Sequence, residues 1–190
     1  AQRNDLEIIQ FLSTYVNDIN TTNLDGKSAL TNAVSRNTPE IINFLVDQKA
    51  TISIKDKKGN NLGYYLVNSF SARNPEITTQ KLELLVKNGF NPKEIQEDGN
   101  TLFHLAIDKN NIKLLELVNS LKIDVNSKNK EGLTALHLAI MKAKNDKIIK
   151  YLISIGADKN IETAFNESTY DLAKENELLK KQNIDITFLK

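Results

Sequence analysis

One stretch of the chain recurs at a fixed interval, and that interval restricts the fold more than any other feature. Asp98-Gly99-Asn100-Thr101-Leu102-Phe103-His104-Leu105-Ala106 is matched 33 residues later by Glu131-Gly132-Leu133-Thr134-Ala135-Leu136-His137-Leu138-Ala139. In the same frame Asp25-Gly26-Lys27-Ser28-Ala29-Leu30 lies 33 residues before Lys58-Gly59-Asn60-Asn61-Leu62, and the segment from Asn166 to Ala173 begins 34 residues after Gly132. Only the interval from Gly59 to Gly99 breaks step, at 40 residues, which places seven extra residues between 68 and 80. A period of this size belongs to a stack of small units, each burying its apolar face against its neighbours.

The residues inside the period say what the unit is. Gly26, Gly59, Gly99 and Gly132 fall where the chain turns, and Asn166 takes the same place in the last copy; asparagine is among the few other residues that accept a left-handed backbone. Two residues later come Ser28, Asn61, Thr101, Thr134 and Ser168, each suited to accept a hydrogen bond from an unpaired N–H at a helix start. A second apolar helix follows in each unit, over 41–46, 82–87, 112–117 and 148–153. Thr38-Pro39-Glu40 and Asn74-Pro75-Glu76 mark two of its starts, a capping side chain before a first-turn proline and an acid. Gly89 and Gly156 mark two of its ends. Asp18-Ile19-Asn20, Asp124-Val125-Asn126 and Asp158-Lys159-Asn160 share one later position.

With these residues in phase over nearly its whole length, the chain resembles the ankyrin-repeat family, whose unit reads roughly D-G-x-T-P-L-H-x-A, an apolar second helix, then G-A-D-x-N. The resemblance implies an all-α ankyrin-repeat solenoid of stacked helix-turn-helix units joined by β-hairpin-like loops. It departs at the proline position, held by Ala29, Leu62, Leu102, Ala135 and Thr169, and at the histidine position, held by Thr31, Tyr64 and Asp171 outside two repeats. We expect one ankyrin-repeat domain over 1–190: a partial repeat at 1–24, full repeats at 25–57, 58–97, 98–130 and 131–164, and a C-terminal cap at 165–190. Aligning Leu6-Glu7-Ile8-Ile9 with Ile112-Lys113-Leu114-Leu115 sets Ala1 inside a first helix, so the chain reads as a piece of a longer array; a lone native capping helix is the alternative. At the other end Ile184, Ile186, Phe188 and Leu189 are apolar enough to fold back on the final repeat, with a peptide-like binding tail as the alternative.

Charge and composition narrow the function classes. Lys plus Arg (25) nearly cancels Asp plus Glu (24), so no strong field draws the chain to nucleic acid or anionic membranes. No apolar run approaches the roughly 20 residues a membrane-spanning helix needs, and membrane insertion is not expected. Ala1 to Asp5 carry no initiator Met and no signal-like stretch, so any targeting segment lies upstream and localisation stays open. The absence of cysteine removes thiolate chemistry. Equivalent histidines in stacked units, His104 and His137, would sit roughly 8–10 Å apart, whereas ligands of one zinc each lie about 2.1 Å from it. The family resemblance gives them a structural role instead, His104 with Thr101 and His137 with Thr134. No phosphate-binding glycine loop occurs, and paired acids such as Glu97-Asp98 read as solvated turn charges. Lys142, Lys144, Lys147 and Lys150 read as a solvated helix edge, with a basic patch for an acidic partner as the less favoured reading. No catalytic residue, cofactor or metal site is expected.

A non-enzymatic protein-interaction module binding an unidentified protein is the function the resemblance implies, through a concave face of hairpin tips and first-helix exteriors. Repeat phase gives the candidate contacts Lys57, Lys58 and Asn60 in one unit, and Glu97, Asp98, Asn100, Asp108 and Lys109 in the next. Lys130, Glu131, Leu133, Met141 and Lys142 follow, with Phe165 beyond. Leu133, Met141 and Phe165 stand out as apolar residues where solvent is expected; a covering C-terminal cap is the competing reading. The insertion, with Phe70, Arg73 and Pro75, is a second candidate, as a recognition loop or a tolerated surface excursion. Two other functions compete: a scaffold within a larger protein that self-associates, and, least favoured, a small-ligand or enzymatic site.

Overall fold

A computed structural model describes residues 2–36 and 38–190; Ala1, where the partial repeat is expected to begin, lies outside the described residues. Among the described residues the regular structure is entirely helical, with no β-strand. The chain forms two compact units that divide between Pro92 and Lys93.

The first unit contains α1 (Gln2–Ser13), α2 (Ala29–Arg36), α3 (Pro39–Asp47), α4 (Leu62–Asn68) and α5 (Pro75–Lys87). First-type helices pack on first-type (α2 on α4), second-type on second-type (α3 on α5), and each pair packs internally. The apolar positions of the repeat frame, Leu30, Ile41, Ile42, Leu62, Leu66 and Leu85, are fully enclosed between the layers. Helix α1 packs on α3, while Ile8, Phe11 and Leu12, with Tyr15 and Val16 just beyond it, stay exposed.

The second unit repeats the plan. It contains α6 (Leu102–Ile107), α7 (Ile112–Ser120), α8 (Ala135–Lys142), α9 (Lys147–Ser154), α10 (Thr169–Glu175), α11 (Glu177–Lys181) and a 3-10 turn at Thr187–Leu189. Helix α6 packs on α8 and α8 on α10, over a core of Leu102, Phe103, Leu114, Leu115, Leu136 and Ile140. The last turn folds back on α10 and buries Leu189.

Five equivalent turns connect the helix pairs. In each, the residue three before the glycine position bonds through its N–H to the carbonyl four residues on: Asn23 to Lys27, Asp56 to Asn60, Gln96 to Asn100, Asn129 to Leu133 and Thr163 to Glu167, all at 2.9–3.0 Å. The side chains of Asn23, Asp56, Asn129 and Thr163 at that position each also accept two backbone N–H groups of their own turn, as Asn129 does from Glu131 and Leu133 at 3.0 Å. Gly132 shows why the turn demands its residue: φ is +76°, and a Cβ there would lie 2.8 Å from the Ala164 Cβ of the following turn. Asn166 takes the left-handed conformation at φ +61°, as its place in the frame requires.

Three expectations are corrected. Thr38 and Asn74 precede first-turn prolines, but neither side chain caps its helix; proline itself removes one donor and fixes φ. The 68–80 insertion is not a long loop. Helix α5 has 13 residues where α3 has 9, so the extra chain is shared between a longer helix and a wider 69–74 turn. The lengthened helix is anchored by buried Thr78 and Lys81, the Lys81 ammonium donating to the Val34 carbonyl at the end of α2 (2.8 Å). Finally, Gln96, which the frame places at a hairpin tip, is buried.

Candidate functional site

The two histidines come first because they are the residues most able to do chemistry. His104 Nδ1 lies 3.2 Å from the Thr101 N–H and 2.8 Å from its hydroxyl, and Nε2 lies 2.9 Å from the Leu133 carbonyl. A carbonyl can only accept, so Nε2 carries the proton and Nδ1 accepts. His137 repeats the arrangement with the Thr134 N–H (3.0 Å), the Thr134 hydroxyl (3.2 Å) and the Ile161 carbonyl (2.7 Å). Each ring therefore ties its own helix start to the next turn, an inter-turn link the sequence did not reveal. Burial pushes both imidazoles below the ordinary histidine pKa, and both nitrogens of each ring are engaged. Among the described residues no group of three or more His, Cys, Asp or Glu is placed to hold a metal ion.

The candidate contact residues fall in separate places. In the first unit Lys57, Lys58 and Asn60 line a small cavity of about 210 Å³ beside Tyr64 and Tyr65. Asn60 is half-buried, its amide donating to Asp56 at 3.0 Å, and the Tyr65 hydroxyl donates to the same carboxylate. Burial pushes the Asp56 carboxyl up, but the bonds from Tyr65, Asn60 and the Lys58 backbone outweigh it and hold the pKa below the usual range. Burial and that carboxylate push the Tyr65 phenol up. This cluster locks a turn.

In the second unit Asn100 donates to Asp98 at 2.7 Å and accepts from the Asn129 amide at 3.0 Å. Asp98 also accepts the Lys130 N–H through its carbonyl (3.0 Å). Glu97 is exposed beside them, and Lys109 lies two residues beyond the end of α6. Asp108 and Lys142 form an exposed ion pair between α6's end and α8's end.

Five candidates do converge. Lys130, Glu131, Leu133, Met141 and Phe165 line one groove of about 670 Å³ in the second unit, between the 129–133 and 163–167 turns and helices α8 and α10. Its apolar surface comes from Leu133, Met141, Ala164, Phe165 and Leu172; Glu131, Glu167, Glu175, Lys130 and Asn176 supply the polar edge. Phe165 is 83 % exposed and Met141 52 %, so the C-terminal helices do not cover them. Leu133 is half-buried.

The groove's walls are fixed by side chains at its edge and just behind it. Thr163 Oγ1 accepts the N–H groups of Phe165 and Glu167 (both 3.2 Å) and donates to Glu167 Oε2 (3.0 Å), setting the apex on which Phe165 stands. Asn176 donates to the Ile140 and Ala143 carbonyls at the end of α8 (2.7 and 3.0 Å) and caps α11 by accepting from Leu178 and Leu179 (2.9 and 3.1 Å). One amide thus holds the C-terminal helices against the groove floor. Ala164, Glu167, Leu172, Glu175 and Asn176 were missed from sequence because the first three sit at ordinary positions of the repeat frame and the pattern fails from Lys174 onward. Leu172 alone carried a signal, its place at an apolar position of the frame.

Comparison with known proteins is consistent along the chain. Models of ankyrin repeats match residues 69–163 and 1–46. Ankyrin repeat protein FPV031 of fowlpox virus is 30% identical over 149 residues, covering 77% of this chain and 42% of that protein. Alpha-latroinsectotoxin-Lt1a of Latrodectus tredecimguttatus is 30% identical over 173 residues, covering 90% of this chain and 9% of the toxin. The chain therefore spans less than half the length of these relatives. Among solved structures, a chain in the complex of the Bdellovibrio bacteriovorus predatory endopeptidase Bd0816 with immunity protein Bd3460 superposes with a TM-score of 0.73 at 26% identity. It covers 94% of this chain and 88% of its own length.

Proposed function

Because the chain belongs to the ankyrin-repeat family, whose repeats are generally protein-interaction modules, we propose that it is a non-enzymatic module that binds a protein through the groove around Met141 and Phe165. We take 25–57, 58–97, 98–130 and 131–164 as its full repeats and 165–190 as the cap, with the groove where the last repeat meets that cap.

One observation carries the reading. Met141 and Phe165 remain largely exposed beside Leu133 and Leu172, in an apolar depression whose walls are held by backbone-directed bonds. Exposed large apolar side chains on a rigid, concave and polar-rimmed surface are the usual anchors of a protein interface. The histidines, by contrast, are saturated by structural bonds. That the solved neighbour comes from a protein–protein complex is in keeping with the reading.

Affinity capture with immobilised chain, wild-type against Met141→Glu and Phe165→Glu, tests it. Both residues are surface-exposed, so circular dichroism and the thermal midpoint should stay near wild-type. Partner recovery should fall at least about tenfold, as for hot-spot residues. Undiminished recovery with both variants would place the interface elsewhere.

A further inference from the structure

The edge of this groove says what kind of segment fits it, and here the inference rests on the reading of the groove as a protein-binding site. Three carboxylates, Glu131, Glu167 and Glu175, stand on its edge against a single ammonium, Lys130. The chain as a whole carries a formal charge of only +1, so this negative edge is local and is not the reflection of an acidic protein. Glu167 accepts the Thr163 hydroxyl, a neutral donor that orients the carboxylate without neutralising it. Glu131 and Glu175 are exposed.

We infer that the groove takes a short basic-apolar peptide segment, an aliphatic or aromatic side chain set against Met141 and Phe165 with Lys or Arg on its flanks. The apolar floor supplies the anchor site, since burying a large side chain against it removes apolar surface from water on both partners. The edge supplies selection. A flanking guanidinium or ammonium meets one of three carboxylates within reach of charge-assisted hydrogen bonds. A flanking carboxylate meets like charges that penalise it. The same edge repels phosphate, which sets nucleic acid and anionic lipid surfaces aside. Because the carboxylates lie at the water boundary, their contribution is screened over about 8 Å at physiological salt and must fall as salt rises.

Fluorescence anisotropy on the full chain tests this with three labelled dodecapeptides that share a Leu-Phe-Leu centre and differ only in flanks of Lys, Gln or Glu. The Lys probe should bind at least about tenfold more tightly than the Glu probe, with the Gln probe between them. Its advantage should shrink between about 50 and about 500 mM salt. The double variant Glu131→Gln/Glu175→Gln should weaken the Lys probe and leave the Gln probe unchanged, while Met141→Gln should weaken both. Equal binding of the Lys and Glu probes, or no binding of any probe at millimolar concentration, overturns the inference. Flank-independent binding that Met141→Gln still weakens would overturn the charge preference and leave the groove as a binding site.

Discussion

His104 and His137 each span two turns of the chain with one ring, and the proton on Nε2 is what makes the span work. Adding a second proton at Nδ1 would set an N–H against the N–H of Thr101 or Thr134. Both folded-state pKa values are depressed, whereas in the unfolded chain histidine titrates near 6.5. Well above that pH the ring is neutral in both states and its full contribution is present. As pH falls through about 6.5 only the unfolded chain takes up the protons, so stability declines, by up to about 1.4 kcal/mol per pH unit for each such proton. Urea denaturation should therefore show a falling midpoint between about pH 7.5 and about pH 5.5, a range above ordinary carboxylate titration. The His104→Asn/His137→Asn variant should be less stable at the upper pH yet lose much less across the interval. An equal loss in both proteins would contradict the tautomer assignment. The pairing of each histidine with its threonine was implied by the motif's resemblance to the ankyrin family, and the structure shows it. The bonds to Leu133 and Ile161 were not implied, since they join residues 29 and 24 apart and depend on how turns stack. The Asn126 amide is similar: it donates to the Gly156 carbonyl and accepts from the Asp158 N–H, so its recurrence was visible and its partner was not.

Helix ends show local chemistry and packing deciding different things. Gly89 and Gly156 end α5 and α9 at φ +96° and +100°, as their place in the sequence suggests. Helices α3 and α7 end with Lys49 and Lys122 in the same left-handed region, at φ +69° and +56°, where a Cβ is disfavoured by about 1 kcal/mol or more. Lys122 is exposed and makes its turn through the backbone N–H to Asn119. Lys122→Gly should accordingly stabilise the chain by about 0.5–1 kcal/mol, after glycine's extra unfolded-state entropy is set against the strain removed. The urea midpoint should rise with the slope unchanged; a lower midpoint would mean that the lysine stem contributes more than its backbone costs. The insertion taught the converse lesson. Seven residues out of phase were readable from the spacing of Gly59 and Gly99, but whether they form a loop or lengthen α5 depends on burial of Thr78 and Lys81 against the neighbouring pair, which no local propensity encodes.

For the molecule as a whole, a fixed helical frame leaves a few positions free to differ, and the proposed binding groove draws on those. The frame was legible because its glycines, caps and apolar positions are repeated, and repetition marks what stacking needs. The groove was legible only in part. Leu133, Met141 and Phe165 betrayed themselves by being apolar at the surface. Of the residues that complete it, Glu167 and Leu172 still follow the frame while Glu175 and Asn176 lie where repetition fails, and only the packing of α10 and α11 brings them alongside. The central claim, that this groove is the protein-binding surface, is tested most directly by placing a photo-crosslinking phenylalanine analogue at Phe165 and, separately, at Leu24. Leu24 is 90 % exposed at the apex of a turn in the first unit and Phe165 83 % exposed in the second, so the two positions report equally well on a passing protein. Irradiation with the captured partner should give a covalent complex from position 165 and none from position 24. A complex from position 24, or none from 165 while binding persists, would contradict the account.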